Sequence, residues 1–236
     1  VDGGGLPAGD FDMGESVVSP VLWKKGMKRV DILVSTHAHP DHIGGLAALA
    51  RNFRLGEVWE GTAPLNDAWD RRFKKALPAS TPLRQVAAGF VRRESGARVE
   101  VLHPQASAMG RDRVDNETSL VLKITYGRVA ILLTGDIGRT TERALIEQGL
   151  PLESDVLKVG HHGSNSSTSE EFLLKVRPAL VVITAGQGNA LGFPHPAVLE
   201  RCQRAGARVL RTDLDGAVEI STDGQELTIR TAVLRP

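Results

Sequence analysis

Short runs rich in apolar residues recur along the chain between clusters of Gly, Pro, Asp and Ser. They fall at residues 30–35, 55–59, 86–91, 98–102, 120–124, 129–136, 154–160 and 179–184, and their length and content predict strands. Other stretches carry apolar residues at helical spacing. Val17, Val18, Val21 and Leu22 define a helix over 12–29, which Gly26 would stop. Further helices are expected from His42 to about Arg51, over 65–78 and 138–148, after Ser169, and over 197–205. Ser169 or Thr168 suits the N-cap of the helix that carries Glu170 and Glu171 in its first turn. Short strands at 209–213, 217–220 and 227–230 close the chain, with Asp215-Gly216 and Asp223-Gly224 as hairpin turns.

Composition narrows the class. With 236 residues, the chain can build one sizeable core or two small ones. Its 41% hydrophobic and 24% charged residues are ordinary for a globular protein. A net charge of +1 gives no global attraction to nucleic acid, so such binding would need a local patch. Candidates are Arg71, Arg72, Lys74 and Lys75, and the locally basic middle third with Arg84, Arg92, Arg93, Arg98, Arg111 and Arg113. The single Cys202 excludes an internal disulfide framework and a Cys-rich zinc site. No run of about 18 apolar residues predicts a membrane span, and no signal peptide is recognisable. There is no long linker, repeat or low-complexity tract, so residues 1–236 are expected to form one domain. The opening Val1-Asp2-Gly3-Gly4-Gly5 reads as a strand end, which suggests a piece of a larger protein with its first strands missing.

The densest chemistry lies in Thr36-His37-Ala38-His39-Pro40-Asp41-His42. Imidazole and carboxylate suit zinc, manganese and iron. On a loop between a strand and a helix, His37 and His39 would face one ion, and Asp41 and His42 a second. Gly44 and Gly45 would let the backbone pass close to the ions. Asp136 ends an apolar strand, and His161-His162-Gly163-Ser164 ends another. The hydroxyls and amides from Ser164 to Ser169 could cradle a phosphate. His195 lies between two prolines, firmly placed for a general acid or, alternatively, a helix cap. His103 reads as structural.

The loop resembles the HxHxDH motif of the metallo-β-lactamase superfamily. That resemblance implies an α/β fold, an αββα sandwich of two mixed β-sheets flanked by helices. It implies two divalent ions, manganese or zinc, held by His37, His39, Asp41, His42, Asp136 and His162, with Asp136 bridging them. His162 is preferred over His161 as the ligand, and Asp2 would act behind the ligands. Many members carry a metal histidine where this chain has Asn116 or Asp115. An amide is a poor zinc ligand, so a harder ion such as manganese is one outcome, and a substrate-holding Asn116 another.

The further set Leu157 to Ser164, Asn189 to Pro196 and Arg211 to Gly216 is similar to one branch, the C-terminal domains of ComEC-type competence proteins. This implies a nuclease that degrades the non-transported strand during DNA uptake. It would act on single-stranded DNA at the extracytoplasmic face, tethered to the membrane channel of the same full-length protein. Asp41, His161 and His195 are then the catalytic candidates, and Asn116, Lys158, Ser164 and Asn165 the substrate contacts. Two alternatives stay open: a small-molecule phosphodiesterase or hydrolase of the same fold, and a catalytically silent DNA-guiding module.

Overall fold

The computed structural model describes residues 1–6, 11–61, 68–108 and 116–233. Arg111, Arg113 and Asp115 lie outside them, as does the start of the helix expected over 65–78. The chain forms two compact units: Val1–Ala87 with Pro104–Leu120, and Ala88–His103 with Val121–Pro236.

The first unit is built on three parallel strands, β1 (Arg29–Ser35), β2 (Arg54–Glu60) and β3 (Leu83–Gln85), with β2 in the middle. Burial deepens towards the C-terminal ends of β1 and β2, where Val34 and Trp59 are almost fully enclosed. Helices α1 (Ser19–Lys24), α2 (Pro40–Ile43), α3 (Leu46–Asn52) and α4 (Ala68–Ala76) belong to this unit. Its core joins Leu33 and Val58 of the sheet to Ile43, Leu46, Leu49, Phe53 and Phe73.

Two expected helices are interrupted here for one reason. Residues 14–18 form a π-helical turn ahead of α1, and the helix after His42 breaks at Gly44-Gly45 into α2 and α3. A Cβ on Gly14 would stand 1.9 Å from the Gly45 carbonyl oxygen, and one on Gly45 would stand 2.2 Å from that of Gly3. The glycines therefore let the N-terminal segment cross directly over the turn after the metal loop.

The second unit contains a mixed seven-stranded sheet in the order β10-β9-β8-β7-β6-β5-β4. Strands β4 (Val91–Glu94), β5 (Ala97–His103), β6 (Val121–Tyr126) and β7 (Val129–Leu133) run antiparallel. β7, β8 (Val156–Lys158), β9 (Leu180–Ile183) and β10 (Arg208–Arg211) run parallel. Alternation separates the faces. Leu132, Leu157 and Val181 pack under α5 (Arg139–Glu147), α6 (Glu170–Val176) and α7 (Pro196–Arg204), against Leu145, Phe172 and Val198. Ile131, Val156, Leu180 and Val182 point the other way, to the hairpin of β11 (Val218–Thr222) and β12 (Leu227–Thr231). The loops after β7, β8 and β9 all leave at the C-terminal ends of parallel strands, where open α/β sheets place their ligands.

Three boundaries differ from the sequence reading. The run at 86–91 is no strand: β3 stops at Gln85, and Gly89, at φ +90°, turns the chain before β4. The run at 154–160 pairs only over β8. Asp215-Gly216 closes a short helix α8 (Thr212–Asp215) instead of a hairpin, while Asp223-Gly224 does join β11 to β12.

Candidate metal centre

In the first unit, β1 ends in the histidine loop and α2 begins at Pro40, whose fixed φ suits a helix start. Three imidazoles meet here. The ring centroids of His37 and His39 are 4.7 Å apart, and those of His37 and His42 are 4.2 Å apart. Asp2 organises them. Its Oδ1 accepts from the Thr36 amide at 2.8 Å, and its Oδ2 accepts from Thr36 Oγ1 at 2.9 Å and from His42 Nδ1 at 2.7 Å. An ionised carboxylate only accepts, so His42 carries its proton on Nδ1 and turns Nε2 outward as a donor to a metal.

The Thr36 hydroxyl, already donating to Asp2, accepts from His37 Nδ1 at 3.1 Å, which fixes the same tautomer in His37. His37 Nε2 then stands 3.0 Å from His39 Nδ1. Burial alone would push the Asp2 carboxyl up. The His42 ring, its hydrogen bond and the Thr36 amide outweigh that and hold it well below the usual carboxylate range.

In the second unit, Asp136 follows β7 and is 2% exposed. Its Oδ2 lies 3.4 Å from His162 Nε2 and its Oδ1 lies 3.5 Å from Lys158 Nζ. Lys158 also donates to the Gly135 carbonyl at 2.9 Å. His162 Nδ1 donates to the Thr184 carbonyl at 2.8 Å, so its Nε2 is again the acceptor, facing the carboxylate. His161 and His162 both adopt left-handed backbone, at φ 46° and 52°. Two successive non-glycine residues in that region hold strain, which persists where surrounding structure enforces it. Gly163 follows at φ +84°, and a Cβ there would meet Pro194 Cβ at 2.6 Å.

The donor chemistry fits divalent metal. His37, His42 and His162 have their tautomers set from behind by a hydroxyl, a carboxylate and a carbonyl, and a buried carboxylate joins His162. Close packing of three imidazoles in the first unit is disfavoured if they are protonated and favoured around a cation.

The remaining sequence candidates divide. Asn116 opens a 3-10 turn closed by the Ser119 amide donating to the Asn116 carbonyl, and one bond, Leu120 N to Thr36 O, ties this segment to the histidine loop. Ser164 lies beside Ser166, their hydroxyls 3.0 Å apart. Asn165 ties the loop to two arginines: its Oδ1 accepts from Arg201 Nη1 and its carbonyl from Arg139 Nη2. His195 caps α7, its Nδ1 accepting from the Ala197 amide at 3.2 Å. His161 meets Phe193 edge-on, ring centroids 5.6 Å apart. Ser169, as expected, caps α6 by accepting from the Phe172 amide.

Several supporting residues escaped the sequence reading. Glu142, 1% exposed, accepts from the amides of Thr168 and Ser169 and so anchors the serine-rich loop from α5. Arg201 donates to the carbonyls of Thr168 and Ser167 from α7. Thr184 aims His162. Only Thr36 stood inside a motif; the others act across the fold.

Histidine and aspartate donors at strand ends, with His37, His42 and His162 oriented from behind, define a class of α/β proteins able to hold divalent metal. This chain belongs to the Metallo-beta-lactamase superfamily, whose family profile matches residues 2–186. It is 34% identical over 210 residues to ComE operon protein 3 of Bacillus subtilis (strain 168), an alignment covering 89% of this chain and 27% of that protein. It is 33% identical over 224 residues to competence protein ComA of Neisseria gonorrhoeae, covering 89% of this chain and 28% of that protein. The chain thus spans about a quarter of the length of these relatives.

Among solved structures it resembles a mutant of the β-hydroxylase CmlA, with TM-score 0.52 and 16% identity over 78% of this chain and 43% of that one. It also resembles the metallo-beta-lactamase fold protein YhfI from Bacillus subtilis, with TM-score 0.50 and 13% identity over 77% of this chain and 74% of that one. The superfamily fold and the likeness to competence proteins expected from the motifs are both borne out. No helix among the described residues is long and apolar enough to cross a membrane.

Proposed function

We propose that this chain is a metal-dependent phosphodiester hydrolase, a DNase that degrades the non-transported strand during DNA uptake. The observation that carries the reading is the Asp2–His42 pair, a half-buried carboxylate spent on orienting one imidazole. A structural turn has no need of that arrangement. The name of the gonococcal relative, a competence protein, supports DNA as the substrate. In this reading the full-length protein also holds a membrane channel, and the domain works on single-stranded DNA at the extracytoplasmic face.

Two divalent ions, manganese or zinc, would be held. In this reading His37 and His39 would hold one, Asp41, His42 and His162 the other, and Asp136 would serve both. When bound, such ions supply Lewis acidity and a water of lowered pKa.

The chain's own residues do the rest. Asp41 steers the attacking water. Lys158, close to Asp136, adds positive charge where the phosphoryl oxygens gain negative charge. Asn116, Ser164 and Asn165 line up the nucleotide. Of the two proton donors considered for the leaving oxygen, His161 is preferred. His195 Nδ1 accepts the Ala197 amide, and an imidazolium there would lose that bond.

The test is cleavage of single- and double-stranded DNA by the purified chain with manganese, zinc or magnesium, beside Asp136→Ala. Metal-dependent cleavage that the variant loses while it keeps its fold is expected. Full cleavage by Asp136→Ala would overturn the site. No cleavage by a folded, metal-loaded chain would favour the silent DNA guide or a small-molecule hydrolase.

A further inference from the structure

The first unit contains a concavity, of about 160 Å³, that the reading above leaves unused. Its lining includes Phe11, Asp12, Gly44, Trp69 and Arg72. The size is that of one ring: a cavity of about 150 Å³ takes benzene, and whole small-molecule ligands need about 300 Å³ or more.

The walls suit a flat, polar-edged ring. Phe11 is 49% exposed, a large apolar side chain left open to solvent. The Arg72 guanidinium lies over the Trp69 ring, 5.7 Å from its centroid. The Asp12 carboxylate is held by Arg72 at 2.9 Å and Arg51 at 3.7 Å, each arginine about half exposed. Arg72 lines the pocket and offers a guanidinium to a phosphate, while Arg51 braces the carboxylate from beyond the lining. Aromatic faces stack bases, a carboxylate accepts from an exocyclic amine, and arginines face a phosphate.

Placement adds to the chemistry. Gly44 is the second residue after His42, so about two Cα–Cα steps of roughly 3.8 Å separate this part of the lining from a proposed metal ligand.

We infer that this pocket, formed by Phe11, Asp12, Gly44, Trp69 and Arg72, receives one unpaired nucleobase of single-stranded DNA beside the metal loop. The choice of ligand rests on the nuclease reading; the ring-sized pocket does not. A base held there fixes the strand against the histidine loop without reading sequence, since every base has a stacking face.

The experiment uses the whole chain without metal, so that no strand is cut. Binding of a labelled single-stranded oligonucleotide is compared with that of an abasic strand of equal length and charge, for the wild type and Phe11→Ala. Circular dichroism and the melting temperature report the fold of the variant. The wild type is expected to bind the base-bearing strand about five- to a hundredfold more tightly, and Phe11→Ala to lose most of that preference while binding the abasic strand unchanged. Equal preference in Phe11→Ala would overturn the pocket, and leave the nuclease reading intact if metal-dependent cleavage persists. A wild type that neither binds nor cuts DNA would sink the nuclease reading. Deoxynucleoside monophosphates would then decide the pocket by tryptophan fluorescence. Quenching that Phe11→Ala abolishes supports it, and no quenching, or equal quenching by a simple sugar, refutes it.

Discussion

Replacing Asp2 with asparagine tests the site from behind. The carboxylate accepts three hydrogen bonds, two from Thr36 and one from His42 Nδ1. Asparagine keeps the shape and can still accept the Thr36 amide on Oδ1. Its NH₂ group then falls where Oδ2 received His42 and the threonine hydroxyl. A donor there asks His42 to accept on Nδ1, which moves the ring proton to Nε2, the nitrogen needed for metal. Loss of an orienting partner of this kind typically costs 10–100-fold in metal affinity, or about 1.4–2.7 kcal/mol. Loss of the charge-assisted bond to His42 also costs roughly 1.5–3 kcal/mol of stability in the metal-free chain.

The effect also has a pH signature. Asp2 titrates below the unfolded value of about 3.9. Its stabilising contribution is therefore present above about pH 4 and disappears as the pH falls below that. Metal affinity is read by competition with a chromophoric chelator, and stability by urea unfolding at pH 7 and pH 3. The gap between wild type and Asp2→Asn should be large at pH 7 and shrink at pH 3. Metal affinity within twofold of wild type, with a gap independent of pH, would refute the role assigned to Asp2.

Other outcomes follow from single contacts. Glu142→Ala strands the amides of Thr168 and Ser169, so a loss of about 2–5 kcal/mol and faster amide exchange across 164–169 are expected by hydrogen exchange. Phe172→Ala opens a cavity in the core of the second unit and should cost about 3–5 kcal/mol in urea unfolding. Gly163→Ala places a Cβ against Pro194 at positive φ and should destabilise by about 1–3 kcal/mol, lowering the melting temperature. Burial pushes the Cys202 thiol up to about 11, so a thiol reagent at pH 8 should label it only after unfolding.

The sequence exposed most of the proposed ligands because they are local. His37, His39, Asp41 and His42 share one loop, and Asp136 and His162 close apolar strands. Their supports were hidden because they arrive through tertiary packing. Nothing near Glu142 announces that its carboxylate caps amides about 26 residues away, and Thr184 looks like the last residue of an ordinary strand. The left-handed pair at 161 and 162 was invisible for a related reason, since histidine carries no bias strong enough to signal it. Strand 86–91 failed because its apolar residues flank a glycine turn, and an apolar run alone does not distinguish the two. Gly44 and Gly45 were read as making room for ions; the structure shows them making room for the backbone of Gly3 to Gly5 and Gly14.

The interleaved path of the chain sets a schedule on the ribosome. The histidine loop and its strands are made early, but the first unit is completed only by Pro104–Leu120, synthesised after the β4–β5 hairpin of the other unit. The Thr36 carbonyl waits for the Leu120 amide, about 80 residues later. At roughly 5–20 residues per second that is on the order of 4–16 s. Through that interval the nascent metal loop lacks one wall, and a chain stalled before residue 120 would present histidines without the finished frame that aims them.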